Sequence, residues 1–376
     1  MTIESRPTAL IFRKRLLAYS ETFVANQGYA LRRYRPRFVG FELDKRGLQH
    51  LDRSDVDLLS DHVGHVDLAR LPMRAGLAPP GRWVRALAEH QPAIIHAHFL
   101  SAVTPAWQLA QALGVPLIAT AHGNDIAKPL TPKFRKSLAT AFSRCTRVIA
   151  VSEFIADCLR RAGCPEDKLV LHYMGIPLKG LEASLVPKAP TVLMVGRFVE
   201  KKGIRYLLEA MARVRVELPQ ARLKIIGDGP LRAELQAQAD QLQLKAEFLG
   251  VQPPDVVHRN MREARLLAAP SVRTEQDAEG LGMVFLEAQA LGRPVVGFAS
   301  GGIGEAVAAD ETGLLCVERD VDRLVANLLQ VLRDDALATR LGEAGAKRVR
   351  QRFDVLEQTR QLESLYDAVC TPKALA

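Results

Sequence analysis

Short, continuously apolar runs alternate with amphipathic stretches along most of the chain. The runs are rich in Val, Ile and Leu, which is typical of strands covered on both faces. They are Ala9–Phe12, Phe38–Leu43, Ala93–Ala97, Pro116–Thr120, Arg147–Val151 and Leu169–His172, then Val192–Gly196, Arg222–Ile226, Ala246–Leu249, Arg265–Ala269, Pro294–Phe298 and Leu314–Val317. Helical periodicity falls between them, as in Gly203–Val216, Leu231–Leu244 and Gly282–Leu291. The alternation predicts an α/β fold with parallel sheets and crossover helices.

The alternation weakens over residues 176–190, which contain three prolines and little periodicity. We interpret this stretch as a linker, because a new strand pattern starts at Thr191. A chain of 376 residues also exceeds what one core usually fills. The sequence therefore predicts two doubly wound, Rossmann-like domains facing across a cleft, residues 1–180 and 190–352. Ligands of such sheets bind beyond the carboxyl ends of the strands.

The composition is that of a globular protein, with 48% apolar, 25% charged and 6% aromatic residues. It excludes disordered, collagen-like and disulfide-scaffold classes. Lys and Arg exceed Asp and Glu by 51 to 42, a net charge of +9, and the whole excess lies in residues 1–185, where 25 basic residues face 16 acidic ones. The richest segment runs from Arg6 to Arg37. Such a segment suits an anionic partner, whether nucleic acid, phospholipid or a phosphorylated substrate, or is simply a solvated basic face.

Five cysteines, with no C-x-x-C pair, favour a reducing compartment over a disulfide or zinc framework. The first apolar run stops at Arg13, so we expect no signal peptide, and no run is long enough to span a bilayer. The expected localisation is cytoplasmic, and peripheral membrane contact remains open.

The most informative motif is Ala278-Glu279-Gly280-Leu281-Gly282-Met283-Val284-Phe285-Leu286-Glu287. Two carboxylates lie eight positions apart and two glycines open a predicted helix between them. Eight helical steps span up to about 12 Å, comparable to the distance from sugar to ribose in a nucleotide sugar. The helix N-terminus offers N–H groups to a diphosphate. Glu279 could then bind sugar hydroxyls and Glu287 ribose hydroxyls, although the motif alone also fits an ordinary helix start.

Two further turns in the second half follow predicted strands. Arg197 and Lys202 follow Val192–Gly196, where both cations would reach a diphosphate, although a solvated basic turn has the same pattern. Gly227 and Gly229 follow Arg222–Ile226 and would let backbone approach a nucleotide, but G-x-G alone mostly indicates a turn. A glycine-rich loop, Ser300-Gly301-Gly302-Ile303-Gly304, follows the strand that ends at Phe298.

In the first half, His122 precedes a glycine at a strand end, where active-site residues often lie, although a lone His is more often structural. His96 and His98 point the same way on one strand, but a third ligand at zinc spacing is missing. Ser20-Glu21-Thr22 is predicted to cap a helix over Phe23–Leu31 through Ser20 or Thr22.

Taken together, these motifs resemble the retaining glycosyltransferases of family 4, which have the two-domain GT-B architecture, over roughly residues 8–365. The resemblance is carried by Arg197 and Lys202, Gly227-Asp228-Gly229-Pro230, the E-x7-E pair Glu279 and Glu287, Leu291-Gly292-Arg293-Pro294, Ser300-Gly301-Gly302, and His122-Gly123 with Asp125. Ser20-Glu21-Thr22-Phe23 is similar to a subgroup that builds exopolysaccharides such as colanic acid. It stands where the family usually has adjacent glycines, and Gly304 stands where Pro is common.

The resemblance implies transfer of a hexose from a UDP- or GDP-linked donor to a glycan or polyprenyl-diphosphate-linked acceptor, with retention and without a metal or other cofactor. It assigns catalytic roles to His122, Arg197, Lys202 and Glu279. Donor binding falls to Gly227, Gly229, Gly280, Leu281, Gly282, Met283 and Glu287. A last helix over 353–370 is expected to cross back to the first domain. The basic N-terminal segment would meet anionic lipid of the inner leaflet.

Three alternatives stay open at this point. A sugar-nucleotide epimerase could have the same architecture, and a scaffold could retain the fold without activity. Nucleic-acid binding suits the net charge but not the scarcity of aromatic residues. Asp55-Val56-Asp57 and Asp320-Val321-Asp322 resemble metal-binding D-x-D motifs, yet neither closely follows an apolar strand, so we predict solvated turns.

Overall fold

The computed structural model describes residues 6–18, 21–44 and 51–371. It divides the chain into two compact units, here called unit 1 (Met1–Gly175 with Val355–Ala376) and unit 2 (Ile176–Asp354). Within the described residues, no helix combines the length and apolarity needed to cross a membrane.

Unit 1 is built on a parallel sheet of seven strands. Its strands are β1 (Thr8–Phe12), β3 (Arg35–Gly40), β5 (Val56–Leu58), β6 (Pro92–His98), β7 (Leu117–Ala121), β8 (Arg147–Ala150) and β9 (Leu169–Leu171), and a separate pair is formed by β2 (Arg15–Leu16) and β4 (Glu42–Leu43). The order across the sheet is β5-β3-β1-β6-β7-β8-β9. Every residue of β1 is buried, as its continuous apolar pattern predicts. Residues 38–43 are not one strand as predicted, because the chain leaves the main sheet after Gly40 and pairs with Arg15–Leu16.

Helices follow most of these strands. They are α1 (Thr22–Tyr29), α2 (Val66–Arg74), α3 (Gly81–Glu89), α4 (Val103–Leu113), α5 (Pro132–Arg144) and α6 (Glu153–Arg161). The prediction of a Ser or Thr cap on the first helix is wrong for Thr22: the N-cap residue is Glu21, which makes no side-chain cap bond and instead pairs with Arg13 at 2.8 Å. Ser20 lies outside the described residues.

Unit 2 has a six-stranded parallel sheet. Its strands are β10 (Thr191–Val195), β11 (Arg222–Ile226), β12 (Ala246–Gly250), β13 (Leu266–Ala269), β14 (Val295–Phe298) and β15 (Gly313–Cys316). The order β12-β11-β10-β13-β14-β15 reverses direction between β10 and β13, so the loops after these strands flank a topological switch point. Its helices are α7 (Ile204–Glu217), α8 (Arg232–Gln241), α9 (Pro254–Glu263), α10 (Met283–Ala290), α11 (Ile303–Ala306), α12 (Val321–Arg333) and α13 (Asp335–Arg352).

Residues 176–190 form neither helix nor strand, but they pack on unit 2. Ile176 and Leu181 are buried, and the fully buried guanidinium of Arg293 donates to the carbonyl of Ser184. Arg265 likewise donates to the carbonyl of Pro187 at 3.2 Å. Two buried cations therefore hold this segment through its backbone.

The last helix, α14 (Val355–Cys370), belongs to unit 1. The buried carboxylate of Glu363 accepts hydrogen bonds from the backbone N–H groups of Arg32, Arg33 and Tyr34 at 2.7, 2.6 and 3.2 Å. Tyr366 lies in the hydrophobic core of the unit. The helix thus completes the core around β1 although it is the last of the described elements.

Candidate functional site

An ion pair between Lys202 and Glu279 lies at the centre of the motifs in unit 2. The Nζ and Oε1 atoms are 2.5 Å apart, and the side chains are only 17% and 10% exposed. Lys202 ends a short 3-10 turn after β10, and Gly203 follows with a φ of +61°. A Cβ at Gly203 would lie 1.9 Å from the carbonyl oxygen of Pro270, so only glycine lets this turn press against the loop after β13. That close approach brings the two motifs together.

Neighbouring cations decide the protonation state of Glu279. Burial alone would raise its pKa, but the charge and hydrogen bond of Lys202, together with the charges of Lys201 and Arg197, lower the pKa to about 2. Glu279 is therefore ionised at neutral pH and accepts rather than donates hydrogen bonds. Sequence reasoning passed over Lys201, whose ammonium lies 2.9 Å from Asp277 and ties the turn to the segment before Glu279. Its adjacency to Lys202 was the available signal.

Helix α10 begins at Met283 with Gly282 as its N-cap residue, at a φ of +87°. No side chain caps the helix and its first turn holds no acidic residue, so the first N–H groups are available to an anion. Gly280 and Leu281 are buried and precede the helix. The predicted start at Gly282 is therefore one residue early, and the 12 Å estimate for a continuous helix does not apply from Glu279 onward.

Glu287 lies in the second turn of α10. Burial raises the pKa of its carboxyl to about 7. Within the part of the chain that the structure describes, the carboxyl has neither an ion pair nor a side-chain hydrogen bond. Such a group is half ionised near neutral pH and has unused capacity for a ligand hydroxyl.

The glycine-rich loop after β14 contacts the backbone of Glu279. The N–H of Gly302 donates to the Glu279 carbonyl at 3.0 Å. Gly301 has a φ of +56°, and a Cβ there would lie 2.3 Å from the same carbonyl oxygen. This loop therefore positions the backbone of Glu279, a role that spacing in the sequence does not reveal.

Gly227 and Gly229 pack against the turn that carries Arg197. A Cβ at Gly227, whose φ is +138°, would lie 1.9 Å from the carbonyl oxygen of Gly196, and one at Gly229 would lie 2.5 Å from that of Phe198. The N–H of Phe198 in turn donates to the Asp228 carbonyl at 2.9 Å. These contacts interlock the loops after β10 and β11 and leave the Arg197 side chain exposed.

In unit 1, His122 follows β7 and belongs to a row of three histidines. Its Nε2 lies 3.0 Å from Nδ1 of His98, and the planes of the two rings are within 18° of parallel. The rings of Phe23 and Phe99 lie 4.9 and 4.6 Å from that of His122, centroid to centroid. Burial and neighbouring charges lower the pKa of all three imidazoles well below the ordinary value.

Asp125, which the sequence places in the His122 motif, holds the loop. Its buried carboxylate accepts from the backbone N–H groups of His122 and Gly123 at 3.0 Å each, and from that of Leu100 at 2.8 Å. The carboxylate therefore fixes the backbone on which His122 stands.

The pairing of His96 and His98 is not that of a zinc site. His96 is hydrogen-bonded through both ring nitrogens, to Tyr366 and Thr120 at 2.7 Å each. Among the described residues, no group of three or more His, Cys, Asp or Glu side chains is placed to hold a metal ion.

The D-x-D motifs depart from the prediction of solvated turns. Val56–Leu58 is a strand, and Asp57 is buried and accepts hydrogen bonds from Trp83 at 2.9 Å and His62 at 3.1 Å. The prediction was wrong there because a three-residue strand is too short to leave a pattern. Asp320 and Asp322 are exposed but begin α12, where Asp320 caps the N–H of Arg323.

Both halves of the chain match family models. Residues 20–179 match the model Glycosyltransferase Family 4, and residues 182–348 match Glycosyl transferases group 1. The chain is 32% identical over 286 residues to the putative colanic acid biosynthesis glycosyltransferase WcaL of Salmonella typhimurium, covering 73% of this chain and 70% of WcaL. It is 30% identical over 315 residues to the GDP-mannose-dependent alpha-(1-6)-phosphatidylinositol monomannoside mannosyltransferase of Mycobacterium tuberculosis, covering 78% and 80% of the two chains.

A solved structure shares the fold of the chain. The crystal structure of Anabaena HepE in complex with UDP and glucose superposes with a TM-score of 0.77 at 20% identity, over 96% of this chain and 100% of HepE. The relatives are glycosyltransferases, so the comparisons do not favour the epimerase alternative. With the two family models and WcaL in agreement, the chain belongs to the family 4 glycosyltransferases and has their GT-B fold.

Proposed function

We propose that this glycosyltransferase is a retaining, metal-independent hexosyltransferase of bacterial polysaccharide biosynthesis. It would transfer a sugar from a UDP- or GDP-linked donor to a lipid-linked or oligosaccharide acceptor. The observation that carries the proposal is the buried Lys202–Glu279 ion pair in the segment leading into the uncapped start of α10. The name of WcaL refers to colanic acid biosynthesis, and HepE was crystallised with UDP and glucose, which supports a nucleotide-sugar donor and a glycan product.

Charge separation is the main physical problem of this reaction. As the bond between the anomeric carbon and the phosphate oxygen breaks, the electron pair goes to the diphosphate and positive charge develops on the sugar. Arg197, Lys202 and the first N–H groups of α10, beginning at Met283, would stabilise the diphosphate. Because these cations supply the stabilisation, the proposal needs no metal ion.

Retention follows from attack on the face that the leaving group departs from. The acceptor oxygen bonds to the anomeric carbon, and its proton passes to an oxygen of the leaving diphosphate. No protein nucleophile takes part, which agrees with a Glu279 that is ionised and already paired with Lys202. Glu279 would instead accept hydrogen bonds from sugar hydroxyls.

The remaining contacts with the nucleotide-sugar donor are assigned from the chemistry of the residues. Glu287 would accept hydrogen bonds from ribose hydroxyls, and the backbone of Gly280, Leu281 and Gly282 would line the diphosphate. Gly227 and Gly229 would allow close approach of the nucleotide, besides the packing described above. We assign acceptor binding to unit 1, where His122 stays a predicted contact of the transferring sugar or of the acceptor.

The test is turnover with defined donors and no added metal. The purified full chain is incubated with UDP- and GDP-sugars and a lipid-linked or oligosaccharide acceptor, and the anomeric configuration of the product is read by NMR coupling constants. We expect retention, and unchanged activity in a chelator. An inverted product or strict dependence on manganese would contradict the proposal. Epimerised donor formed without acceptor would instead support the epimerase alternative.

A second surface, besides the basic segment of residues 6–37, supports the proposal of peripheral membrane contact. Within that segment four arginines are engaged: Arg13 pairs with Glu21, Arg33 with Asp367, and Arg6 and Arg37 donate to backbone carbonyls. A cation already held by a neighbouring acid contributes less attraction to a lipid surface.

Helix α2 and the segment after it expose large apolar side chains. Leu68, Leu71 and Leu77 are 63%, 53% and 61% exposed. Two exposed arginines, Arg74 and Arg82, are close to these leucines in the sequence. Exposed leucines near positive charge suit the surface of an anionic bilayer. We therefore place the membrane contact on α2, on the side of Leu68 and Leu71.

Co-sedimentation with liposomes tests this placement. We expect the chain to bind vesicles of phosphatidylglycerol and phosphatidylcholine better than neutral ones, and the double variant Leu68→Ser, Leu71→Ser to bind at least about tenfold more weakly. Leu185→Ser is the matched control, since Leu185 of unit 2 is 90% exposed. Equal binding of the double variant and the control would contradict the placement.

A further inference from the structure

His122 has one ring nitrogen already occupied inside the protein. Its Nε2 lies 3.0 Å from Nδ1 of His98, and no other described group bonds to its ring. Any ligand of His122 is therefore left with Nδ1. Whether that nitrogen offers a proton or a lone pair decides what His122 can do in the reaction.

One proton lies in the hydrogen bond between the two imidazoles, and it comes from one ring or the other. Burial keeps both neutral at ordinary pH, because it lowers the pKa of each well below its usual value. A neutral imidazole has one N–H and one bare nitrogen. Either His98 donates from Nδ1 and His122 carries its own proton on Nδ1, or His122 donates from Nε2 and its Nδ1 is bare.

The second nitrogen of His98 distinguishes these arrangements. Its Nε2 is buried and has no hydrogen-bond partner among the described residues. If His122 were the donor, this Nε2 would carry a proton with nothing to accept it. Orphaned buried N–H groups are rarer than unsatisfied buried acceptors, and leaving a buried donor unpaired costs about 1–3 kcal/mol. The arrangement with a bare Nε2 on His98 is thus the favoured one.

We propose that His98 is a positioning residue: it donates from Nδ1 to Nε2 of His122 and thereby fixes His122 as the Nδ1–H tautomer. His122 then presents an N–H donor to a ligand oxygen, such as a sugar hydroxyl or a phosphate oxygen. It cannot act as a general base through either nitrogen, since Nε2 accepts from His98 and Nδ1 already holds a proton. The statement about the ligand rests on the proposed function, whereas the tautomer does not.

The surroundings of His122 agree with such a fixed donor. The rings of Phe23 and Phe99 hold the imidazole plane, and the Asp125 carboxylate holds the backbone beneath it. The guanidinium of Arg13 lies 4.1 Å from the centroid of Phe99 and also pairs with Glu21. The ring of Phe99 is therefore itself held in place. The imidazole of His122 thus has little freedom to exchange its two nitrogens.

The tautomer is read directly from the full-length chain labelled with ¹⁵N-histidine. A two-bond ¹H–¹⁵N correlation spectrum separates protonated from bare ring nitrogens, and His98→Asn and His122→Asn variants assign the signals. We expect a protonated Nδ1 and a bare Nε2 for both His98 and His122. A protonated Nε2 on His122 would overturn the proposal without any activity measurement.

Kinetics then separate positioning from general stability. We expect His98→Leu to lower kcat about tenfold or more with little change in the Kd of the nucleoside diphosphate. His98→Asn, whose amide nitrogen replaces the Nδ1 donor, should recover most of the loss. In a His122→Ala background, His98→Leu should have no further effect, because it acts through His122. Full additivity of the two substitutions would overturn the proposal.

The proposed function and the positioning role of His98 are contradicted by different results. If no nucleoside diphosphate binds and no sugar is transferred, the proposed function is wrong, and the ¹⁵N spectrum still decides the tautomer. If turnover is normal but His122 carries its proton on Nε2, the positioning role of His98 fails and the proposed function stands.

Discussion

The two units carry their candidate residues at the same kind of place, directly after parallel strands, but with opposite electrostatics. In unit 2, Lys202 and Glu279 are both charged and in contact. In unit 1, three neighbouring histidines carry no charge, since burial holds the pKa of each well below its ordinary value. One architecture thus supports an ionic site in one unit and a neutral hydrogen-bonded site in the other.

The difference follows from what burial costs each type of side chain. An imidazole can lose its proton and remain buried as a neutral group that still donates one hydrogen bond. Glu279 remains ionised only because Lys202, Lys201 and Arg197 outweigh its desolvation. This contrast agrees with the anionic donor that we propose for unit 2 and with the hydroxyl or phosphate oxygen that we propose as the ligand of His122 in unit 1.

Removing the cations of unit 2 should have the largest effect. We expect Lys202→Ala or Arg197→Ala to lower kcat at least about 100-fold, since loss of one donor to a developing anion costs roughly 2.7–4 kcal/mol. Lys224→Ala is the control, because Lys224 of the same unit hydrogen-bonds to Asn260 on α9. Steady-state assays with one donor sugar compare the variants. Near-normal turnover of both Lys202→Ala and Arg197→Ala would contradict the proposed role of these cations in unit 2.

Changing the glycine that supports the Arg197 turn should have an intermediate effect. Gly227→Ala places a Cβ against the Gly196 carbonyl at a φ of +138°, so we expect the free energy of unfolding to fall by about 1–3 kcal/mol or more. Gly304→Ala is the matched control, because a Cβ at this helical position would have no atom within 4 Å of it. Calorimetric melting compares the two, and equal melting temperatures would show that the interlocked loops are not rigid.

The smallest expected effect concerns Glu287. Its pKa is raised to about 7, so the carboxylate that we propose as the acceptor for ribose hydroxyls is lost as the pH falls through 7. We expect nucleoside diphosphate affinity to decrease by up to about tenfold per pH unit below 7. Titration calorimetry between pH 8 and pH 6 measures this change.

Two variants sharpen that pH test. Glu287→Gln should lose the part of the pH dependence that Glu287 contributes, whereas Glu234→Gln, a change of an exposed acid on α8, should keep the dependence of the parent chain. The raised pKa also means that the folded chain holds a proton that the unfolded chain releases above about 4.5. The contribution of Glu287 to the free energy of unfolding should therefore fall as the pH rises from 4.5 through 7.

Much of the scaffold could be predicted because buried parallel strands leave an unmistakable pattern. Runs such as Arg222–Ile226 are strands with the predicted bounds, and the resemblance to family 4 glycosyltransferases is confirmed by the family models. Where a strand is only two or three residues long, as in Val56–Leu58, the pattern is lost and Asp57 was misread as solvated.

What could not be predicted depends on contacts between segments far apart in the chain. Nothing in the spacing around Gly301 shows that it touches the backbone of Glu279, and nothing around His98 shows which nitrogen meets His122. The protonation states of Glu279 and Glu287 likewise differ although both are glutamates of one motif. The surroundings of each carboxyl in the folded chain set that difference, and the sequence does not show them.

The discontinuity of unit 1 has a consequence for synthesis of the chain. Unit 2 is one uninterrupted segment, whereas unit 1 lacks α14 until residues 355–370 have been made. The carboxylate of Glu363, which satisfies three consecutive N–H groups at residues 32–34, is synthesised only after the whole of unit 2. We therefore expect the core of unit 1 to be completed after unit 2 has been made, the reverse of the usual N-terminal-first order.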